Sequence, residues 1–465
     1  MLLANRKKCL GGVLGVVTGL TAMFLPPPGG LEPEAMLLLG VLIFAICYWT
    51  FGVLPDYIVA LLMCTLWVTL VKVPFSSAFG AFSSELFWFF FGALGLAAGM
   101  KKSGLSRRIA LRVTRWFPAN FKGQTMALLL SGMVVNPFIP SPVAKTILGS
   151  SLSAEISNAL GYKPYSREAT GVFLAAFSGY GQSGMIFLSG NVLCVVLLGL
   201  MPFYVRNQLN WGYWILAMMI WGTVFLIGTY LSIFLLYRPL KDKTGSNKYM
   251  EEQQNALGSL NKSEKTTMLI SLSCLALWIL EPVHGVPAGA VSLAGALLMF
   301  CFGVLDKNDL HSEIPWDSIL LIGAVLNMGV CLAEGGVDVW LGNLLVPVLG
   351  RFTSPYALAL VLTVIVVIAR FAIVSMNATI VLFVAILLPI ASTLEINPWF
   401  LGIVALSAMQ IWYTKYQNIF LIPALAVSAD MVRHKDMVKM SFAYTVYSTI
   451  GIFLSIPYWL RVGLL

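Results

Sequence analysis

Apolar runs of about 17–25 residues recur along almost the whole chain between short polar stretches, the spacing that membrane-crossing helices require. The pattern predicts spans near 9–25, 36–53, 57–72, 83–100, 211–237, 267–281, 287–305, 316–334 and 441–463. The run at 9–25 is long for a signal peptide and lacks a small-x-small cleavage pattern, so it reads as a retained span. One stretch has a different period. Leu105, Ile109, Val113, Trp116 and Phe117 alternate with Arg107, Arg108, Arg112 and Arg115, which lays an apolar stripe against a basic face and predicts a helix lying on the membrane surface.

Four apolar segments are interrupted. The hairpin segment 123–155 contains Asn136-Pro137-Phe138-Ile139-Pro140-Ser141-Pro142, and so many prolines cannot continue a helix. The limb before the break reaches only about 18 Å at helical rise, against about 30 Å of hydrocarbon. A re-entrant hairpin follows, because irregular backbone at that depth is tolerated only where it lines a cavity. The segment 170–200 is broken at Ser178 to Gly184 and again at Ser189-Gly190-Asn191. In the second half, 355–393 has a soft centre at Ser375-Met376-Asn377-Ala378-Thr379, and 399–428 is broken at Thr414-Lys415-Tyr416-Gln417-Asn418.

These interruptions come in matched pairs. Phe91-Gly92-Ala93-Leu94 runs on to Ser103-Gly104-Leu105, and Ile322-Gly323-Ala324-Val325 runs on to Gly335-Gly336-Val337, 231 residues later. A shift of 234 residues places Ser141 on Ser375 and Ala144 on Ala378. The expected fold is an all-α polytopic membrane protein with about 11 transmembrane helices, two re-entrant hairpins, inverted-topology repeats and broken helices at the midplane. The expected organisation is an N-terminal span and outer loop (1–35), a first repeat (36–240), a cytoplasmic connector (241–265) and a second repeat (266–465).

Composition agrees. With 59% hydrophobic and 11% charged residues and a mean hydropathy of +0.87, the chain has more apolar surface than a soluble domain of its size can hide. The seven cysteines all fall in apolar runs without a C-x-x-C pair, so they read as packing residues. The net charge of +9 is one-sided: 22 of 29 basic residues fall in segments that share a side if the N-terminus is cytoplasmic and the C-terminus external, the positive-inside pattern. Nucleic acid is not implied. No H-x-x-x-H, H-E-x-x-H, G-x-S-x-G or acidic pair stands out, which argues against a membrane-embedded lipid-modifying enzyme. The interruptions contain no Asp, Glu or His, which argues against a proton-coupled carboxylate symporter and a cation/proton antiporter.

With this layout the chain resembles the divalent anion/sodium symporter family, nearest its citrate–succinate and 2-oxoglutarate–malate exchanger branch, over almost its whole length. The most specific likeness is Pro140-Ser141-Pro142-Val143-Ala144-Lys145, where the family shows Pro-Ser-Asn-Thr-Ala. Ser189-Gly190-Asn191 and Thr414-Lys415-Tyr416 resemble the paired loops of its broken helices. The resemblance implies substrate contacts from Ser141, Pro142, Val143, Ala144, Lys145, Ser189, Gly190, Asn191, Ser375, Asn377, Ala378, Thr379, Thr414, Lys415 and Tyr416. It also implies a homodimer with an elevator motion in the bacterial cytoplasmic membrane, and no cofactor. The Ser-Asn-Thr motifs that help hold sodium in the family are degraded here to Ser141-Pro142-Val143 and Ser375-Met376-Asn377, so no metal is expected.

Lysines beside the breaks offer a substitute. Charge within a span is costly and marks function, and Lys145 and Lys415 would supply the +2 that two sodium ions supply in relatives. Arg370 either touches substrate or pairs with a neighbouring carbonyl. The expected function is therefore sodium-independent antiport of dicarboxylates (2-oxoglutarate, malate, succinate, fumarate). A sodium- or proton-coupled di- or tricarboxylate symporter of the same fold is the nearest alternative.

Overall fold

The computed structural model describes residues 2–29, 31–239, 255, 257–337, 339, 340, 343, 352 and 354–465, with side chains from residue 8 onward. Most of the connector expected at 241–265 lies outside the described residues, as do the side chains of Arg6 and Lys7. All regular structure among the described residues is helical. Large apolar side chains such as Leu216, Ile227, Leu231 and Leu235 on one helix and Leu269 and Leu272 on another stay exposed. That surface suits hydrocarbon rather than water, and the chain is an all-α polytopic membrane protein.

The first packing group begins with α1 (Leu2–Phe24) against α2 (Pro33–Phe51). Their backbones meet at glycines: a Cβ on Gly40 would lie 2.6 Å from the Gly19 carbonyl oxygen, and one on Gly19 2.9 Å from that of Gly40. Gly52, at φ +59°, ends α2 in the left-handed conformation that glycine tolerates best. Pro55 then starts α3 (Asp56–Leu66), which runs on through a π turn at Trp67–Val71. Next, α4 (Glu85–Lys102) opens on an N-cap at Ser84, whose hydroxyl accepts from Phe87 N at 3.3 Å. At its far end Lys102 donates to Asp306 at 2.8 Å and Asp309 at 2.5 Å. The bond to Asp306 is the main influence holding the lysine above its ordinary value, and the lysine in turn holds Asp306 below its own.

The basic surface helix is α5 (Leu105–Arg115). Its apolar side buries Leu105, Leu111 and Val113, while Trp116 stays exposed. Two arginines of its basic face, Arg107 and Arg108, are engaged by protein. Arg107 bonds Glu155 at 3.2 Å. Arg108 reaches Glu264 at 2.6 Å and the carbonyls of Leu257 and Gly258 at 2.8 Å.

The first hairpin is α6 (Phe121–Val135), a 3-10 turn at Asn136–Phe138 and α7 (Pro142–Ala159). The first broken helix is α8 (Arg167–Tyr180) and α9 (Val192–Leu200), followed by α10 (Trp211–Tyr237). Then come α11 (Lys262–Ile279), α12 (Ala288–Cys301), α13 (Trp316–Val325) and α14 (Met328–Glu334). The second hairpin is α15 (Pro355–Ala369) and α16 (Met376–Thr393). The second broken helix is α17 (Pro398–Ala408) and α18 (Leu421–Ala426), and α19 (His434–Val462) ends the chain.

Two expected breaks differ. Backbone 181–191 is one continuous interruption rather than two. The second hairpin unwinds at 370–375, so Met376, Asn377, Ala378 and Thr379 already lie in helix. Serine is a strong N-cap, and the side chain of Ser375 accepts from Ala378 N at 3.1 Å, fixing the helix start there.

Packing divides the bundle. α3 packs on α2 and α13, and α4 on α12, whereas the hairpins pack mainly with the broken helices, and α10 with α19. The paired glycines are close-approach sites: a Cβ on Gly92 would lie 2.3 Å from the Ser292 carbonyl carbon, and one on Gly323 2.4 Å from the Phe82 ring. Gly92→Val should therefore overpack the α4–α12 contact at a cost of about 1–3 kcal/mol. Gly12→Ala, whose Cβ would make ordinary contact with Val53 at 3.5 Å, should leave melting unchanged; thermal denaturation of the two variants in detergent checks both.

Candidate functional site

In the first hairpin, prolines force the chain to unwind and leave carbonyl groups without helical partners. Side chains fill the gap. Asn136, which caps α6, donates to Gly179 O at 3.0 Å and Ser183 Oγ at 2.7 Å. Its own Oδ1 accepts from Lys145 Nζ at 2.6 Å, and the same ammonium reaches the Gly190 carbonyl at 2.5 Å. Lys145 is fully buried. One cation thus ties the hairpin to the broken helix of the same repeat. Val192 N adds a bond to Pro140 O at 3.1 Å.

The second repeat builds the same joint with the charge moved. Arg370 is fully buried. Its Nη1 donates to the carbonyls of Ile373 (2.6 Å), Val374 (3.1 Å) and Ser375 (3.1 Å) and to Thr379 Oγ1 (2.9 Å), and Nη2 bonds Gln417 O. The 234-residue shift that pairs Ser141 with Ser375 also pairs Asn136 with Arg370 and Lys145 with Thr379. Each repeat bonds these two positions to one another and to a carbonyl of its broken helix. The cation stands on the outgoing arm in one repeat and before the tip in the other.

Lys415, which the sequence pairs with Lys145 as a cation beside a break, is not buried as Lys145 is. It is exposed, on a 3-10 turn at Lys415–Gln417. Arg370 holds the buried charge, and the carbonyls beside it are its partners.

The two repeats interlock. Gln182 Nε2 donates to Gln410 O at 3.1 Å, and Asn418 Nδ2 donates to the same oxygen at 3.3 Å. The outgoing arm of each hairpin packs on the other repeat's broken helix, α7 against α18 and α16 against α9. Gln182 Oε1 and both side-chain polar atoms of Gln410 are buried without a protein partner, which makes the junction strongly polar at the heart of an apolar bundle.

The other expected site residues sort by what occupies them. Ser141 caps α7, its hydroxyl accepting from Ala144 N at 3.3 Å; Pro142 is buried at the first helical position, Val143 is half-buried and Ala144 exposed. Ser189 is buried and committed, donating to Pro137 O at 2.6 Å and accepting from Trp211 Nε1 at 2.9 Å. Gly190 is needed for close approach, because a Cβ there would lie 2.5 Å from Gly184 O. Asn191 caps α9 through Leu193 N at 3.0 Å, leaving its Nδ2 buried and unpartnered. Ser375 Oγ and Asn377 Nδ2 both donate to Asp56 Oδ2, at 2.9 and 3.2 Å. Ala378 and Thr379 are buried. Thr414 is half-buried, its N–H bonded to Gln417 Oε1 at 2.9 Å, and Tyr416 donates to Phe371 O at 3.2 Å.

Asn136, Gln182, Gln410, Gln417 and Asp56 belong to these networks and were not anticipated. Asn136, which the hairpin shift places on Arg370, and Gln182 and Gln417, which lie within the interrupted stretches, left a signal; Gln410 and Asp56 left none. Helix N-termini at α7, α9 and α16, each capped by a short polar side chain, add positive potential and N–H donors. Such an arrangement suits an anion inside a bilayer, where desolvation would otherwise be prohibitive.

Paired re-entrant hairpins and paired broken helices around a buried polar junction define a membrane transporter. A family model described as "Sodium:sulfate symporter transmembrane region" matches residues 6–465, and the chain belongs to that family, the divalent anion/sodium symporters, which are transporters and not enzymes. It is 27% identical to "Dicarboxylate transporter 2, chloroplastic" of Spinacia oleracea, over 71% of this chain and 60% of the relative. It is 26% identical to the "Putative malate transporter YflS" of Bacillus subtilis, over 71% of each. With the "L-tartrate/succinate antiporter" of Escherichia coli it shares 24% identity, over 64% of this chain and 62% of the relative. The chain thus spans about 60% of the length of the spinach relative. Among solved structures, the YdaH transporter of Alcanivorax borkumensis shares the fold at a TM-score of 0.59 and 13% identity, covering 99% of this chain and 98% of that one.

Lys145→Met should leave Asn136 Oδ1 and Gly190 O without their donor and destabilise the protein by about 1–3 kcal/mol. Lys415→Met, on the surface, should stay within about 0.5 kcal/mol of the parent. Denaturation midpoints of the purified variants check the contrast.

Proposed function

We propose that this chain is a sodium-independent antiporter of small dicarboxylates of the malate, succinate, fumarate and 2-oxoglutarate class. One observation carries the reading: the fixed cations of Lys145 and Arg370 sit in cradles of oxygen atoms beside the hairpin tips, and no carboxylate among the described residues forms an ion pair with either. Such cradles are where a mobile alkali cation would be held, and here they are filled by side chains. Two uncompensated charges favour a dianion. A dianion meets both cations at once, whereas without it they are left short of anionic partners, and an unpaired charge costs about 2.5 kcal/mol or more within a bilayer. Empty return is therefore disfavoured and exchange favoured. The relatives, named as transporters of dicarboxylates, malate, and tartrate and succinate, support the substrate class.

Substrate carboxylates are held by the capped tips, with Ser141 and the first N–H groups of α7 on one side and Ser375, Asn377 and α16 on the other, flanked by Thr414, Lys415 and Tyr416. Ser189 serves as a strut between Pro137 and Trp211 rather than as a ligand. The remaining parts of the reading are a homodimer in a bacterial cytoplasmic membrane, an inside N-terminus, an outside C-terminus, and an elevator motion of hairpins and broken helices against the first packing group. The positive-inside distribution and the division of packing support them.

Counterflow in proteoliposomes tests the function. Unlabelled malate inside should drive uptake of labelled succinate equally well in sodium and in choline media. No trans-stimulation, or uptake into substrate-free vesicles that rises with an imposed sodium gradient, overturns the reading in favour of sodium-coupled symport.

A further inference from the structure

Asp56 is the only carboxylate among the described residues that a hydrogen bond ties to either hairpin tip. Its Oδ2 accepts from Ser375 Oγ at 2.9 Å and from Asn377 Nδ2 at 3.2 Å. A hydroxyl and an amide converging on one carboxylate oxygen are the donors a substrate carboxylate needs. Ser375 is also the N-cap of α16, and its carbonyl is bonded by Arg370, so the tip carries positive potential that a carboxylate neutralises. The first hairpin has no counterpart: Ser141 caps α7 without an acidic partner among the described residues.

Asp56 comes from the other packing group. It stands at the corner between α2 and α3, where Gly52 ends one helix and Pro55 begins the next. Trp49 Nε1 holds the corner by donating to Asp56 O at 3.0 Å. α3 packs against α2 and α13, away from the broken helices. The Asp56 bonds therefore bridge two groups of helices that otherwise pack largely within themselves.

We infer that Asp56 is a tethered carboxylate that occupies the second hairpin's donors when substrate is absent, and that a substrate carboxylate must displace it before the hairpin can leave the α2–α3 corner. The inference rests on the antiporter reading above and adds the device that enforces exchange. An unloaded hairpin is held by its charge-assisted bonds to Asp56. A loaded one has those donors satisfied by substrate and is free to move.

The test uses the full chain in proteoliposomes, comparing efflux of labelled succinate into substrate-free medium with efflux into medium containing succinate. Asp56→Asn keeps the side chain's shape and removes its charge; Asp56→Ala is the second variant and Asp56→Glu the conservative one. Losing the charge should raise substrate-free efflux by about tenfold while exchange persists, since charge-assisted bonds are the stronger ones. Succinate should also protect Asp56→Asn from heat at several-fold lower concentration than the parent, because its competitor is gone. Asp56→Glu should restore the parental ratio of exchange to efflux, which a merely structural role would not predict. Unchanged ratios in Asp56→Asn and Asp56→Ala with exchange intact overturn the latch. So does loss of both fluxes in monodisperse protein, because Asp56 would then be needed for binding. Absence of counterflow in the parent sinks the antiporter reading and the latch with it, whereas counterflow without an Asp56 effect sinks the latch alone.

Discussion

A positive charge buried in an apolar bundle must be solvated by the protein itself, and most of the site's architecture follows from meeting that demand twice. A helix cannot do it, because its carbonyls are committed to its own N–H groups. Unwinding frees them. The interruptions at 136–141, 181–191, 370–375 and 409–420 expose backbone oxygens where Lys145 and Arg370 collect them. Breaking either charge from its partners would leave an uncompensated ion or orphaned carbonyls, both strongly unfavourable in this setting. Hairpin and broken helix are thus tied together in each repeat by the cation they share.

The interlock between repeats extends this dependence. α7 lies on α18 and α16 on α9, so each hairpin is supported by the half it does not belong to. The Gln182–Gln410 bond closes the ring at its centre. The junction between the tips is built from both halves of the sequence, which is why matched interruptions far apart in the chain meet at a single place.

Much of this was legible from residue pattern. The prolines at 137 and 140 announce the first hairpin because they cannot continue a helix, and Pro142 opens the next one where the structure resumes it. The second hairpin lacks such a marker. Its polar residues Asn377 and Thr379 suggest a break, yet short polar side chains fit readily inside the first turn of a helix, and the true break lies just upstream. The choice between Lys415 and Arg370 illustrates another boundary. Both are charges in apolar runs, and a long side chain's direction depends on tertiary oxygens that the local sequence does not display. Arg370 reaches across to Gln417 O besides four oxygens of its own hairpin, while Lys415 lies exposed on its turn. Asp56 was invisible for a similar reason, since its partners lie more than three hundred residues away in the chain.

The crossed placement of charge has a consequence for how such proteins diverge. Within each repeat, the same two positions hold one cation between them, Asn136 with Lys145 and Arg370 with Thr379. Two basic residues in one pair would repel each other, and none would leave a vacant nest of oxygens suited to an alkali ion from solution. The charge can therefore change arms within a repeat through very few codons, while the surrounding framework keeps its form.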